Sequence, residues 1–358
     1  MSFPLPHALQ ALTPNVHAWL PDGHATWGMA NCVVVTGRSP GSGAALLVDT
    51  PYTADMTRRL RRLIAGLGDR PAGGPEVRTV INTHGNGDHS YGNGLFPGAE
   101  IIATEANAEH LCAEPSPAEL AGLVAGSDPD SALGAYVRQH FGRYGDFGGV
   151  STVHPTRTFS GEVELDVDGV AVRLIEVGPA HTAGDLIVHL PEEGVVCAGD
   201  VVFNEDHPVH WAGPLESVER ACRRILDCGP RVVVPGHGPV MTPADVRGYA
   251  DYLLELRAAV HRGHAAGRPL PVLAAELIAG DPYPHWGLNE RMAILAAVEY
   301  RALDGETGRA DLVGLVGLAA EFAHRQETAR GLGQDPGPDA RLGAGADSVA
   351  AGSVRTGG

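Results

Sequence analysis

A local pattern repeated along this 358-residue chain constrains its fold more than any other feature. Short apolar runs stop at glycine, with histidine or aspartate at the stop. The run Val80 to Thr83 leads into His84-Gly85-Asn86-Gly87-Asp88-His89. Gly178-Pro179-Ala180-His181-Thr182-Ala183-Gly184-Asp185 is a second such cluster. Val195-Val196 runs into Cys197-Ala198-Gly199-Asp200, and Val232-Val233-Val234 into Pro235-Gly236-His237-Gly238. Apolar runs bounded by glycine read as strands. Small residues at strand ends let the backbone turn sharply, so polar side chains there can approach one point. Such a chain folds as layered α/β, with its chemistry carried on loops at strand ends.

The rest of the chain fits that frame. Val16 to Leu20, Cys32 to Thr36 and Ala44 to Asp49 read as strands, with a Gly/Ser/Pro turn at 37–43. Thr53 caps a helix with Met56, Leu60, Leu63 and Ile64 on one face. Val77 to Thr83 delivers the first cluster, and Glu100 to Ala103 leads into a helix near Glu105 to Cys112. Residues 113–150 read as an insertion over the site. Glu162 to Val177 is a hairpin turning at Asp168-Gly169. Strands follow at Asp185 to Leu190, Gly194 to Cys197 and Arg231 to Val234, the last two separated by a helix from Leu215 to Leu226. Helices are expected over Tyr249 to Val260, Leu288 to Tyr300 and Asp311 to about Arg325. The division expected is 1–245 for a catalytic domain, 246–330 for accessory helices and 331–358 for a disordered tail.

Composition narrows the function classes. The net charge is −17 and all 26 basic residues are arginine, which disfavours general binding to nucleic acid. No apolar run approaches the ~20 residues that span a bilayer. The N-terminus lacks a basic head before an apolar run, so a cytoplasmic protein without a membrane partner is expected. Five scattered cysteines (Cys32, Cys112, Cys197, Cys222, Cys228) include no CxxC pair and read as buried, inert thiols.

Imidazole and carboxylate together hold zinc, iron or manganese. In order and spacing, the four clusters resemble the metallo-β-lactamase superfamily of metal-dependent hydrolases, over roughly residues 15–245. The resemblance implies a four-layer αββα sandwich with the site at one edge between the sheets. It also implies one metal position at His84, position 86 and His181, and another at Asp88, His89 and His237, bridged by Asp200. Position 86 is Asn where the family has His. A carboxamide oxygen is a poor zinc ligand beside imidazole, so one tight zinc site and a second that is weak or absent are expected. Asp88 and Asn86 are the catalytic candidates: Asp88 to orient a metal-bound hydroxide, Asn86 to donate amide hydrogens to an oxyanion.

Asp185 reads as a turn or strand-start residue. Family topology places Trp27, Met29, Phe203, His207, His210 and Trp211 near the site mouth. There Trp27, His207, His210 and Trp211 are pocket candidates, and the two histidines are also possible proton donors. Tyr283, His285 and Trp286 cover the pocket or anchor the last helices, whereas His17, His110, His140, His261 and His264 read as surface residues.

The leading function is hydrolysis of a small-molecule ester, thioester, lactone or amide. Ser90-Tyr91-Gly92-Asn93 and Val209-His210-Trp211-Ala212-Gly213-Pro214 resemble a branch that includes aromatic polyketide cyclases and thioesterases. His84, His181 and Asp200 alone form a two-His, one-carboxylate set, which resembles the Fe2+ sulfur dioxygenases of the superfamily. A non-catalytic binding module is the remaining reading. Oligomeric state is open.

Overall fold

The computed structural model describes residues 5–39, 43–67, 74–308 and 310–332. Its first sheet comprises β1 (Gln10–Thr13), β2 (Val16–Trp19), β3 (Cys32–Thr36), β4 (Ala44–Val48), β5 (Glu76–Ile81), β6 (Glu100–Thr104) and β7 (Arg157–Phe159), hydrogen-bonded in that order. Pairing is antiparallel as far as β4 and parallel beyond it. The second sheet comprises β8 (Glu162–Asp166), β9 (Ala171–Glu176), β10 (Leu186–Leu190), β11 (Val195–Phe203) and β12 (Val232–His237), also in chain order, with only β11 and β12 parallel.

The described helices are α1 (Ala54–Ala65), α2 (Gly87–Ser90), α3 (Glu105–Leu111), α4 (Pro117–Gly126), α5 (Ala132–His140), α6 (Leu215–Asp227), α7 (Pro243–Ala265), α8 (Leu270–Ala279), α9 (Arg291–Leu303) and α10 (Leu312–Leu332). Their packing produces the four layers. On the outer face of the first sheet, Leu60 and Ile64 of α1 meet Trp19, Val34, Leu47 and Val80. Between the sheets, Val33, Leu46 and Ile81 meet Leu174, Val188 and Val234. On the outer face of the second sheet, Val196 and Val233 meet Val218 of α6, Val246 of α7 and Leu295 of α9. Each such side chain contributes about 1.5–3 kcal/mol when fully buried. The expected αββα sandwich is the observed architecture.

Local chemistry explains the boundaries. Thr53 Oγ1 accepts from Met56 N at 3.3 Å and starts α1. Asp168 and Gly169 take φ of 46° and 87°, the left-handed pair of a type I′ hairpin, so β8 and β9 stay in register. Every residue of β11 is buried, which is why its apolar residues stand at consecutive positions and do not alternate with polar ones.

Several elements differ from expectation. β1, β7 and α8 were not foreseen, and β11 continues past Cys197 to Phe203. α7 begins earlier, at Pro243, because Thr242 and Asp245 form a capping box. α10 runs to Leu332, so of the expected tail only 333–358 lies outside the described residues, as does part of the 37–43 turn. Cys32, Cys197 and Cys222 are buried, but Cys112 is exposed at the end of α3 and Cys228 is half-buried. No described helix is long and apolar enough to cross a membrane.

Candidate metal centre

The clusters meet at one edge of the sandwich. His84, Asn86, Asp88 and His89 follow β5 through α2, His181 lies between β9 and β10, Asp200 lies within β11, and His237 ends β12. The Asp200 carboxylate is the hub. Its oxygens lie 3.2 Å from His89 Nε2, 3.3 Å from His237 Nε2, 3.5 Å from His181 Nε2 and 3.9 Å from His84 Nε2. Asp88 Oδ2 lies 3.4 Å from His237 Nε2 and 3.7 Å from His89 Nε2. Two triads result, His84/His181/Asp200 and Asp88/His89/His237, each with its ligand atoms within 4.8 Å of one another. Two glycines permit this approach. A Cβ on Gly236 would overlap Asp200 Oδ1, and Gly199, at φ +52°, packs where a Cβ would strike Thr83.

The surrounding acceptors set which imidazole nitrogen faces inward. His89 Nδ1 lies 2.8 Å from Asp49 Oδ2, and His181 Nδ1 lies 2.6 Å from the Val209 carbonyl. Thr83 Oγ1 donates to Asp49 at 2.7 Å and therefore accepts from His84 Nδ1 at 3.0 Å. The network thus assigns the Nδ1 proton outward in all three rings, leaving the Nε2 lone pairs to converge. Buried His84 Nε2 has no hydrogen-bond partner, as expected of a ligand atom and not of a structural histidine. The residues present therefore fit a divalent metal.

Electrostatics agree with a cluster of mixed charge. Burial lowers the pKa of His84 and His181, the latter to about 4. Burial also opposes charge on His89, but Asp200, Asp88 and Asp49 outweigh it and raise its pKa well above the usual value. Burial would raise Asp200, yet the four imidazoles hold it well below the usual carboxylate range. Asp185 is not among the converging groups. It accepts from Ala180 N, Thr182 N and Thr182 Oγ1, tying the His181 loop closed, and burial pushes it to about 7.

Asn86 is held by partners the sequence did not reveal. Its Oδ1 lies 2.8 Å from His181 Nε2, while its Nδ2 donates to Glu114 Oε2 at 3.1 Å. Glu114 also pairs with His110 Nε2 at 2.8 Å. The expectation that Asn86 offers amide hydrogens to an oxyanion is thus reversed. The amide nitrogen is engaged by Glu114, and the carbonyl oxygen faces the triad. Asp49 was likewise missed, although a carboxylate ending β4 at the same sheet edge as the first cluster was a usable signal.

A cavity of about 520 Å³ opens on the centre. Asp88, Asn86 and Trp211 line it together with Trp27, Tyr91 from the Ser90-Tyr91-Gly92-Asn93 segment, and Leu120 from the insertion. His207 and His210 do not line it. Both are fully buried, His207 between Tyr252 (3.0 Å) and Asp281 (3.2 Å), His210 against Tyr249 at 3.1 Å, so neither is placed to protonate a leaving group. Tyr283 and Trp286 stack on each other at 4.3 Å and pack on Tyr252, anchoring the last helices. His140 is buried and His110 is packed behind Asn86, so neither is a surface residue.

Solved structures with related folds include VMB-1, at 20% identity and a TM-score of 0.50 over 71% of this chain and 99% of that one. A metallo-beta-lactamase family protein from Thermus thermophilus aligns at 24% identity and a TM-score of 0.54, over 85% of this chain and 98% of that one. The sec-alkylsulfatase Pisa1 from Pseudomonas sp. aligns at 17% identity and a TM-score of 0.60, over 82% of this chain but only half of the other. No curated protein matches the sequence. Residues 25–237, which include β3 to β12 and every converging ligand, match the metallo-beta-lactamase superfamily, and the chain belongs to it.

Proposed function

We propose that the protein is a metal-dependent hydrolase, zinc being the expected ion, that cleaves an ester, thioester, lactone or amide bond in a small molecule with an apolar body. One observation carries this reading: two ligand triads with inward Nε2 atoms open directly into a largely apolar cavity. His84, His181 and Asp200 would hold one ion, and Asp88, His89 and His237 the other. A bound ion would supply water with a pKa lowered from ~15.7 to ~7 and would polarise a carbonyl. The chain's own groups do the rest. Asp88, at the cavity wall and beside His237, orients the attacking water. Asp49, Thr83 and the Val209 carbonyl keep the three imidazoles in one tautomer. Asn86 contributes a neutral oxygen where the family resemblance implies imidazole, which would leave its triad the weaker one.

A second reading has the aromatic wall behind it. Trp27 and Trp211 lie with ring centroids 5.9 Å apart at the cavity, a surface suited to a fused-ring substrate. On such a substrate, cyclisation would replace hydrolysis.

Metal quantification of native protein and Asn86→His, paired with turnover of aryl esters, thioesters and lactones, tests the proposal. The expected result is a native protein that retains one ion firmly and a variant that retains two, with hydrolysis of at least one carbonyl class. Two equally tight ions in the native protein would remove the asymmetry. Ring closure without hydrolysis would favour the second reading, and iron with oxygen uptake would replace both.

A further inference from the structure

Arg291, the first residue of α9, is 3% exposed, yet it lines the cavity. A buried guanidinium ordinarily has a carboxylate partner, because leaving that charge unpaired in a low dielectric is expensive. Here the described residues give it no ion pair. Its Nη1 donates to the His207 carbonyl at 3.1 Å, and its Nε is buried without any partner. Asp206 is near enough to feel its charge, but that carboxylate is occupied by Ala25 N at 2.8 Å and His24 at 3.5 Å. Glu290 accepts from Tyr136 instead. The helix position makes matters worse, since a cation at an α-helix N-terminus opposes the macrodipole. What holds the guanidinium in place is aromatic: its Cζ lies 4.0 Å from the centroid of Trp27 and 5.8 Å from that of Phe203. Phe203 in turn stacks on His237 at 5.3 Å, so a single phenyl ring links this cation to the metal triads.

We propose that Arg291 is the anion anchor of the cavity, and that the substrate is a ring-bearing carbonyl compound carrying a carboxylate or phenolate. The substrate's acidic group supplies the counter-ion that the protein withholds. Its apolar body lies against Trp27, Trp211 and Val316, and its reactive carbonyl reaches the triads. The Arg fork matches a carboxylate bidentately, so the site selects charge and plane together. This assignment of substrate class rests on the hydrolase reading, but the anion site itself does not require hydrolysis.

Calorimetric titration of the metal-loaded protein with 2-naphthoate and with its neutral isostere 2-naphthamide tests the site. Naphthoate is expected to bind about tenfold tighter than naphthamide, the size of one charge-assisted contact. Arg291→Met should abolish that difference while leaving naphthamide affinity unchanged. Should that variant fail to fold, Arg291→Lys carries the test: naphthoate weakens because the fork is lost, and naphthamide does not. A naphthoate preference that survives in both variants would overturn the proposal by placing the anion on the metal centre. Equal binding of the two probes to the native protein, or binding of neither, would overturn it too. Naphthoate selectivity without turnover of any carbonyl substrate would leave the anchor standing and sink the hydrolase reading.

Discussion

Asn86 sits between two acceptors, the Glu114 carboxylate and the His181 Nε2 lone pair, and the stronger of them fixes which end of its amide faces the metal triads. A carboxylate can only accept, so Glu114 takes the amide nitrogen and turns Oδ1 toward His181. Glu114 is therefore a positioning residue for the weaker triad. Glu114→Ala should weaken retention at the His84/His181/Asp200 position by about 10–100-fold, the usual effect of removing a partner that orients a ligand. The Asp88/His89/His237 position should be unaffected. Chelator titration with metal counting separates the two, and equal weakening of both would show that Glu114 acts on the fold instead. At this scale the sequence disclosed the groups that converge, because glycine-flanked His and Asp at strand ends have few structural uses. It did not disclose Asp49, Glu114 or Arg291. Each is a lone charged residue whose importance depends on a partner reached only through tertiary packing.

Among the elements, α5 carries a titrating group with a global consequence. His140 packs against Tyr136, ring centroids 4.2 Å apart, and its Nδ1 is buried without a partner. Burial first, then Arg291 and Arg143, lower its pKa to about 3. Since the unfolded value is near 6.5, the unfolded chain binds the extra proton between those limits. Stability from this site is thus complete above pH 6.5 and is lost as pH falls toward 3. The slope is about 1.4 kcal/mol per pH unit within the window. His140→Phe keeps the ring contact and removes the titration, so its unfolding free energy should fall less steeply than the native protein's by that amount. Denaturant unfolding at pH 4, 5, 6 and 7 measures the difference, and parallel curves would refute it. Periodicity located α1 and α6 well, because each buries one stripe. It failed for α8, whose Leu270–Ala279 sequence is apolar nearly all round. It also failed for β1 and β7, edge strands of four and three residues that are defined mainly by their ladder partners.

For the molecule as a whole, the four-layer frame and the cavity roof are different kinds of structure. Most strands of the frame lie within residues 25–237 and were legible, since apart from β1 and β7 they are short apolar runs with clear ends. The roof combines Trp27 near the N-terminus, the 113–150 insertion and α10, and no local pattern announces that these meet. α10 packs on α5 and sends Leu312, Val313 and Val316 to the cavity, while its Phe322 is buried against Ala274 and Ala293. Leu315, Ala319 and Ala320 of α10 also join the core that α7 and α9 share with β11 and β12. Residues 246–330 are thus bound to the sandwich through α7 and α9, with α10 packed on α9 and α5 as the outermost described helix. Truncating a buried Phe costs about 3–5 kcal/mol, but an outer helix packed mainly on α5 and α9 can open locally without unfolding the frame. Phe322→Ala should therefore speed amide exchange in α10 and α5 and weaken 2-naphthamide binding. It should leave metal content unchanged, because no triad residue lies on either helix. Hydrogen exchange read alongside metal counting decides the matter. Loss of metal together with the helix would mean that α10 belongs to the same cooperative unit as the centre, and the roof would then be inseparable from the frame.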